Sequence, residues 1–183
     1  MPLPHVRRNK SLAHDVIVYA ERFAFPALPG EPLDQPHARW RSPYAMDSAT
    51  VSPAIAALLS DNNEINPDTV FLSLADREEV VALRILLAIS GVTLGQVRSG
   101  MEDEHFAPFT AAIGCFIRSG IRIIHARPAE LLSIGRELVE RQQRPRELII
   151  EGIRFCEDAA QFEALSDQLA RAPGGNCRVR QFD

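Results

Sequence analysis

Residues 70–79 read Val70-Phe71-Leu72-Ser73-Leu74-Ala75-Asp76-Arg77-Glu78-Glu79. The run Val70 to Leu74 is almost wholly apolar and follows Asn66-Pro67-Asp68, a turn signal, so a buried strand is predicted over 69–74. Asp76 with Glu79 three residues on has capping-box spacing, which predicts a helix opening there with Asp76 as its cap. Val80, Leu83, Ile85, Leu86, Leu87 and Ile89 continue at helical spacing, and Gly91 is placed to stop the helix. A strand that runs straight into a helix is the repeating unit of an α/β fold.

Downstream the pattern repeats. Thr93 to Arg98 reads as a short helical turn ended by Gly100. Glu102 to Ile117 reads as a helix with an acidic first turn and with Phe106, Phe109, Ile113 and Phe116 on one face. Strands are predicted at 121–125, 147–151 and 177–182, with helices over 128–142, opened by Pro128, and 159–170. Strands alternating with helices predict a mostly parallel sheet covered on both faces.

Upstream the reading is less regular. Residues 26–46 carry Pro26, Pro29, Pro32, Pro36 and Pro43, so they cannot form one regular element. Residues 12–24 are ambiguous: Leu12, Val16, Tyr19 and Phe23 suit a helix face, whereas Val16-Ile17-Val18-Tyr19 suits a buried strand.

Composition sets outer bounds. A chain of 183 residues, 46% hydrophobic and 24% charged, is one ordinary globular domain. No apolar run approaches a bilayer span, and no signal peptide is read at the amino terminus, so no membrane partner is expected. Cys115, Cys156 and Cys177 lack CxxC spacing and the five histidines are scattered, so no metal is expected and the cysteines suit a reducing cytoplasm. A net charge of −4 argues against a protein built mainly to grip phosphates, and nucleic-acid binding stays open only as a local patch.

Three segments carry a resemblance. Residues 70–120, VFLSLADREEVVALRILLAISGVTLGQVRSGMEDEHFAPFTAAIGCFIRSG, are similar to the part of DnaB-type replicative helicases that begins at a Phe-Ser-Leu-Glu-Met strand end. Arg98-Ser99-Gly100 resembles the family's Arg-Thr-Gly turn, Glu102-Asp103-Glu104 its acidic cluster, and Phe106 sits where the family has Trp. Further on, Glu147 to Glu151 resembles the strand that ends in the Walker B acid, and Arg178 to Gln181 the strand that ends in a γ-phosphate-sensing Gln.

The resemblance implies a RecA-like, P-loop NTPase-type sheet of about five strands in a single domain spanning 1–183. It also implies that Asp15-Val16-Ile17-Val18-Tyr19-Ala20 is the strand leading into the phosphate loop; a helix there would count decisively against the kinship. Glu21 to Leu28 then replaces the loop, residues 29–46 are an insertion, and the helix that follows the loop is expected over 48–60. Pro26, Ala27 and Leu28 fall where Gly, Lys and Ser/Thr are needed to wrap phosphates in N–H groups, neutralise them and hold Mg²⁺. Lys10 is the only lysine, and no glycine occurs between Gly30 and Gly91, so no GxxxxGK[ST] motif can be found. Neither a cofactor nor ATP hydrolysis is expected of such a degenerate Walker A. The vestigial site at the strand ends would comprise Ala75, Asp76, His125, Glu151 and Gln181.

Three functions compete. The first is a non-catalytic, pseudo-ATPase relative of the helicase that binds a replication protein such as a helicase or its loader. The second is a ligand-binding or enzymatic domain with a repurposed site at Asp76, His125 and Glu151. The third is a single-stranded DNA-binding accessory using Arg39-Trp40-Arg41, which could equally contact a partner protein or pin the insertion onto the domain. Ser73 has no nucleophile-elbow context. On the resemblance, the chain stops before the arginine-finger region, so a monomer or dimer is expected rather than a hexamer.

Overall fold

The computed structural model describes residues 9–24, 51–59, 65, 68–99, 101–140, 145–156, 160–171 and 177–183. Their elements run α1 (Asn9–Ala24), α2 (Pro53–Leu58), β1 (Thr69–Ser73), α3 (Glu78–Ser90), α4 (Leu94–Ser99), α5 (Asp103–Arg118), β2 (Arg122–His125), a 3₁₀ turn (Pro128–Glu130), α6 (Leu131–Glu140), β3 (Glu147–Glu151), a second 3₁₀ turn (Ile153–Phe155), α7 (Ala160–Arg171) and β4 (Arg178–Phe182). The strands form one sheet in the order β2-β1-β3-β4, and every pairing is parallel. This is an α/β architecture consistent with a RecA-like fold.

Period-two alternation sorts the strand side chains onto two faces. Phe71, Ile123 and Ile149 enter one core with α1, α2, α3, α4 and α5. Val70, Leu72, Ile124, Leu148 and Ile150 enter the other with α6 and α7. The connection from β1 to β2 runs one way across the sheet, and those from β2 to β3 and β3 to β4 run the other way. Parallel crossovers are right-handed, so reversing direction moves the helices to the opposite face. β1 and β3 are neighbours whose chains leave toward opposite faces, and their carboxyl ends therefore flank the topological switch point.

The helix stop expected at Gly91 is found, and a second glycine matters for packing. Gly91 ends α3 in the left-handed conformation, φ 70°, with its N–H on the Leu87 carbonyl. Gly135 lets α6 and α7 approach: a methyl group built there would collide with the Leu165 side chain.

Other expectations are corrected. Residues 15–20 are not a strand but the middle of α1, so among the described residues the sheet has four strands rather than five. Leu12, Ala13 and Val16 are fully buried at helical spacing, and α1 packs on α3, α4 and α5 rather than beside a strand. The β-branched run costs a helix about 0.5 kcal/mol per residue. Burying one Leu or Val side chain returns about 1.5–3 kcal/mol, so tertiary packing overrides the local preference. The phosphate-loop strand that the helicase resemblance implied is therefore absent. The helix expected over 48–60 is described only as α2, where Ser52 caps the first turn and accepts from the Ile55 N–H at 3.3 Å. Asp76 does not cap α3; Arg77 holds that position and makes no side-chain cap bond.

Thr69 starts β1 with its hydroxyl buried and without a hydrogen-bond partner. Its orphaned oxygen is expected to cost about 1–3 kcal/mol. Thr69→Val keeps the shape and removes the oxygen, so it should raise the unfolding free energy by about 1 kcal/mol in urea titrations. A destabilised variant would show that this hydroxyl has a partner in solution.

Candidate functional site

The switch point between β1 and β3 is filled by a buried polar network. Glu151 is the last residue of β3 and is wholly buried. Its neighbour in register on β1 is Ser73, also wholly buried. Gly152 turns the chain just beyond with φ 89° and donates its N–H to the Phe182 carbonyl at 3.0 Å. The Leu74 N–H reaches the Glu151 carbonyl at 3.0 Å, closing β1 onto β3 past their paired residues.

Arg84 enters from α3. Its Nη1 donates to Glu151 Oε2 and its Nη2 to Glu151 Oε1, both at 2.7 Å, a bidentate pair. Nη1 also donates to Asp76 Oδ2 at 3.1 Å. Nη2 also donates to the Ser52 hydroxyl at 2.7 Å, which in turn donates to Glu151 Oε1 at 3.0 Å. Ser73 Oγ accepts the Asp76 N–H at 2.8 Å and the Ala75 N–H at 3.3 Å, folding the segment after β1 so that Asp76 is buried. One guanidinium thus ties together β1, β3, α2 and α3.

The geometry explains the lost cap. Asp76 is turned inward to a charged partner, a stronger hydrogen bond than an exposed N-cap supplies. Burial makes the same point for the network: an ionised carboxylate in the interior persists only when paired and hydrogen-bonded. The planar guanidinium meets that need, because its fixed fork can serve two carboxylates and a hydroxyl at once.

The expected vestigial site is only partly assembled. Asp76 and Glu151 come together, with Ala75 beside them through its N–H. His125 ends the edge strand β2, exposed, and makes no hydrogen bond to the network. Gln181 is exposed on β4 and lies opposite Ile150; Phe182, not Gln181, is in register with Glu151. Asp76 and Glu151 are both buried from solvent. Pro26, Ala27, Leu28, Arg39, Trp40, Arg41 and the expected insertion 29–46 lie outside the described residues.

Arg84 and Ser52 are the residues that sequence reading missed. A signal existed for each. Arg84 is a lone charge within Val80 to Leu86, an otherwise apolar helical run, and a helix that is apolar all round is buried on all sides. Ser52 directly precedes Pro53, the pairing of an N-cap with a first-turn proline.

The other reactive groups offer less. Burial, reinforced by Glu147, pushes the Cys177 thiol above its ordinary value against a backbone hydrogen bond at Leu148, which keeps it protonated and a poor nucleophile. Among the described residues no group of three or more His, Cys, Asp or Glu side chains is placed to hold a metal ion, and no helix is long and apolar enough to cross a membrane.

Fold and site together define a class: a doubly wound α/β domain whose strand-end crevice is occupied by its own arginine. No protein-family model matches the sequence, and no curated protein matches it either.

Proposed function

We propose that this chain is a non-catalytic α/β domain that acts by binding another protein. The observation that carries the reading is the wholly buried Glu151 carboxylate, both of whose oxygens are held by Arg84. Glu151 is the residue in the place of the metal-holding acid, and an acid committed to a guanidinium has no oxygen facing a magnesium ion or a substrate. Asp76 is committed to the same cation. A site used this way joins elements of the fold instead of performing chemistry.

The partner class rests on the helicase resemblance. The helix over 15–20 counts decisively against helicase kinship, and what is left of it is a residue likeness over 70–120, 147–151 and 178–181. That likeness names the partner class to be tested, a replication protein such as a helicase or its loader, with a cytoplasmic location. Recovery of such a protein on the immobilised chain from native extract, lost on competition with free chain, is the expected result. Recovery of no replication protein would reject the partner class while leaving the non-catalytic reading standing.

Nucleotide provides the test of the non-catalytic reading. Triphosphate binding at a strand–loop–helix site needs backbone N–H donors, a lysine and a hydroxyl-held metal acting together. Lys10, the only lysine, lies exposed near the start of α1, and no strand leads into residues 21–28. Calorimetric titration with Mg-ATP should therefore show no saturable heat at millimolar nucleotide, with or without single-stranded DNA. A dissociation constant below roughly 1 mM, about −4 kcal/mol, would reject the reading.

A further inference from the structure

One flank of α5 carries an apolar seam that is exposed at both ends. The helix's inner side buries Phe109, Ala112 and Phe116 against the helical core. Phe106 and Ile117 are large, apolar and exposed by 49% and 40%. They are three turns apart on one stripe, with exposed Thr110 and half-buried Ile113, which also packs against the helical core, between them. The stripe Phe106, Thr110, Ile113, Ile117 therefore runs at spacings of four, three and four, the a/d rhythm of helices that pack along their length. Ala107 and Ala111 border it and keep the surface low, so another backbone could come close.

The ends of the helix carry opposite charge. Glu102, Asp103 and Glu104 are exposed at its start. Arg118 is exposed in its last turn, where its guanidinium lies back over Gly114 and contacts the Cys115 sulfur at 3.6 Å. Antiparallel pairing of two such helices sets Phe106 opposite Ile117 of the other copy and Thr110 opposite Ile113, and brings each acidic turn beside the other copy's Arg118. Parallel pairing would set acid against acid. The stripe is thus complementary to itself in one orientation, as a two-fold interface requires.

We propose that α5 is the interface of a symmetric homodimer, formed by antiparallel packing of this stripe on a second copy of the chain. A helix of 16 residues is about 24 Å long, so the buried area lies at the small end of specific interfaces and the dimer is weak. The dimer is independent of the switch-point network and of the proposed partner.

Sedimentation of the full chain from about 1 µM to about 1 mM brackets the affinity of so small an interface. The expected result is a reversible rise from one to two chains. Phe106→Asp and Ile117→Glu should each weaken the dimer at least thirty-fold, since each puts a charge into both of the apolar Phe106–Ile117 contacts. Both side chains are exposed, so circular dichroism should be unchanged. Arg118→Glu should also weaken it, and adding Asp103→Arg with Glu104→Arg should restore it. A monomer throughout the range, or a dimer indifferent to Phe106→Asp and Ile117→Glu, overturns the proposal. A dimer indifferent to Arg118→Glu overturns its antiparallel arrangement.

Discussion

Arg84→Ala should lower the unfolding free energy by about 3–5 kcal/mol, the usual cost of removing one partner from a buried ion pair. The loss comes less from the bond than from what remains. Glu151 is wholly buried and Asp76 nearly so, and without the guanidinium neither has that cation to offset its desolvation. Ser52 loses a donor in the same step, which loosens α2 from the sheet. Arg84→Lys should recover only part of the loss, because a point charge cannot make the bidentate pair and reach Ser52 as well. Removing the charges together, as Arg84→Met with Glu151→Gln and Asp76→Asn, should recover most of it, since replacing a whole buried ionic cluster is often neutral. Urea denaturation of the four proteins decides the matter. An Arg84→Ala variant within about 1 kcal/mol of the parent would mean that the network is open to water, and would return the switch point to the list of possible ligand sites.

Phe71→Ala should cost about as much, 3–5 kcal/mol on the scale of buried aromatic truncations. Phe71 is fully buried on β1, paired by β2 on one side and β3 on the other, and it faces the core shared with the helices α1 to α5. Both neighbouring strands are hydrogen-bonded in place, so the site cannot collapse freely around the cavity. A domain of this size holds roughly 5–15 kcal/mol in all, so the variant should be close to its folding limit at room temperature. Phe71→Leu, which keeps most of the volume, should lose far less. A small loss for Phe71→Ala, seen as an unshifted urea midpoint, would mean that the core on this face is loosely packed.

The strands show how far local pattern reaches. Predictions at 69–74, 121–125, 147–151 and 177–182 match β1 to β4 within a residue, because each is a short apolar or alternating run bounded by turn residues. The same reasoning failed at 15–20. There the β-branched run Val16-Ile17-Val18 and the family analogy both favoured a strand, and the ambiguity left open by Leu12 and Val16 was resolved the wrong way. The missing information was the surface available for burial: α3, α4 and α5 offer a helical groove that only a helix can fill with Leu12, Ala13 and Val16 together.

The candidate site divides in the same way. Periodicity and turn residues alone put Asp76 and Glu151 at the carboxyl ends of parallel strands, and the missing residue types alone exclude a lysine-bearing phosphate loop, whereas the adjacency of the two strands is a tertiary fact. Only the tertiary structure decided that the two acids are buried, that Asp76 abandons its cap, and that Arg84 and Ser52 complete the cluster. The pairs are 67 residues apart for Arg84 with Glu151 and 99 for Ser52 with Glu151. A local pattern specifies which face a side chain occupies, but which distant charge meets it depends on how the helices cross the sheet, and the cost of leaving a charge unpaired in the interior makes that meeting a condition of folding.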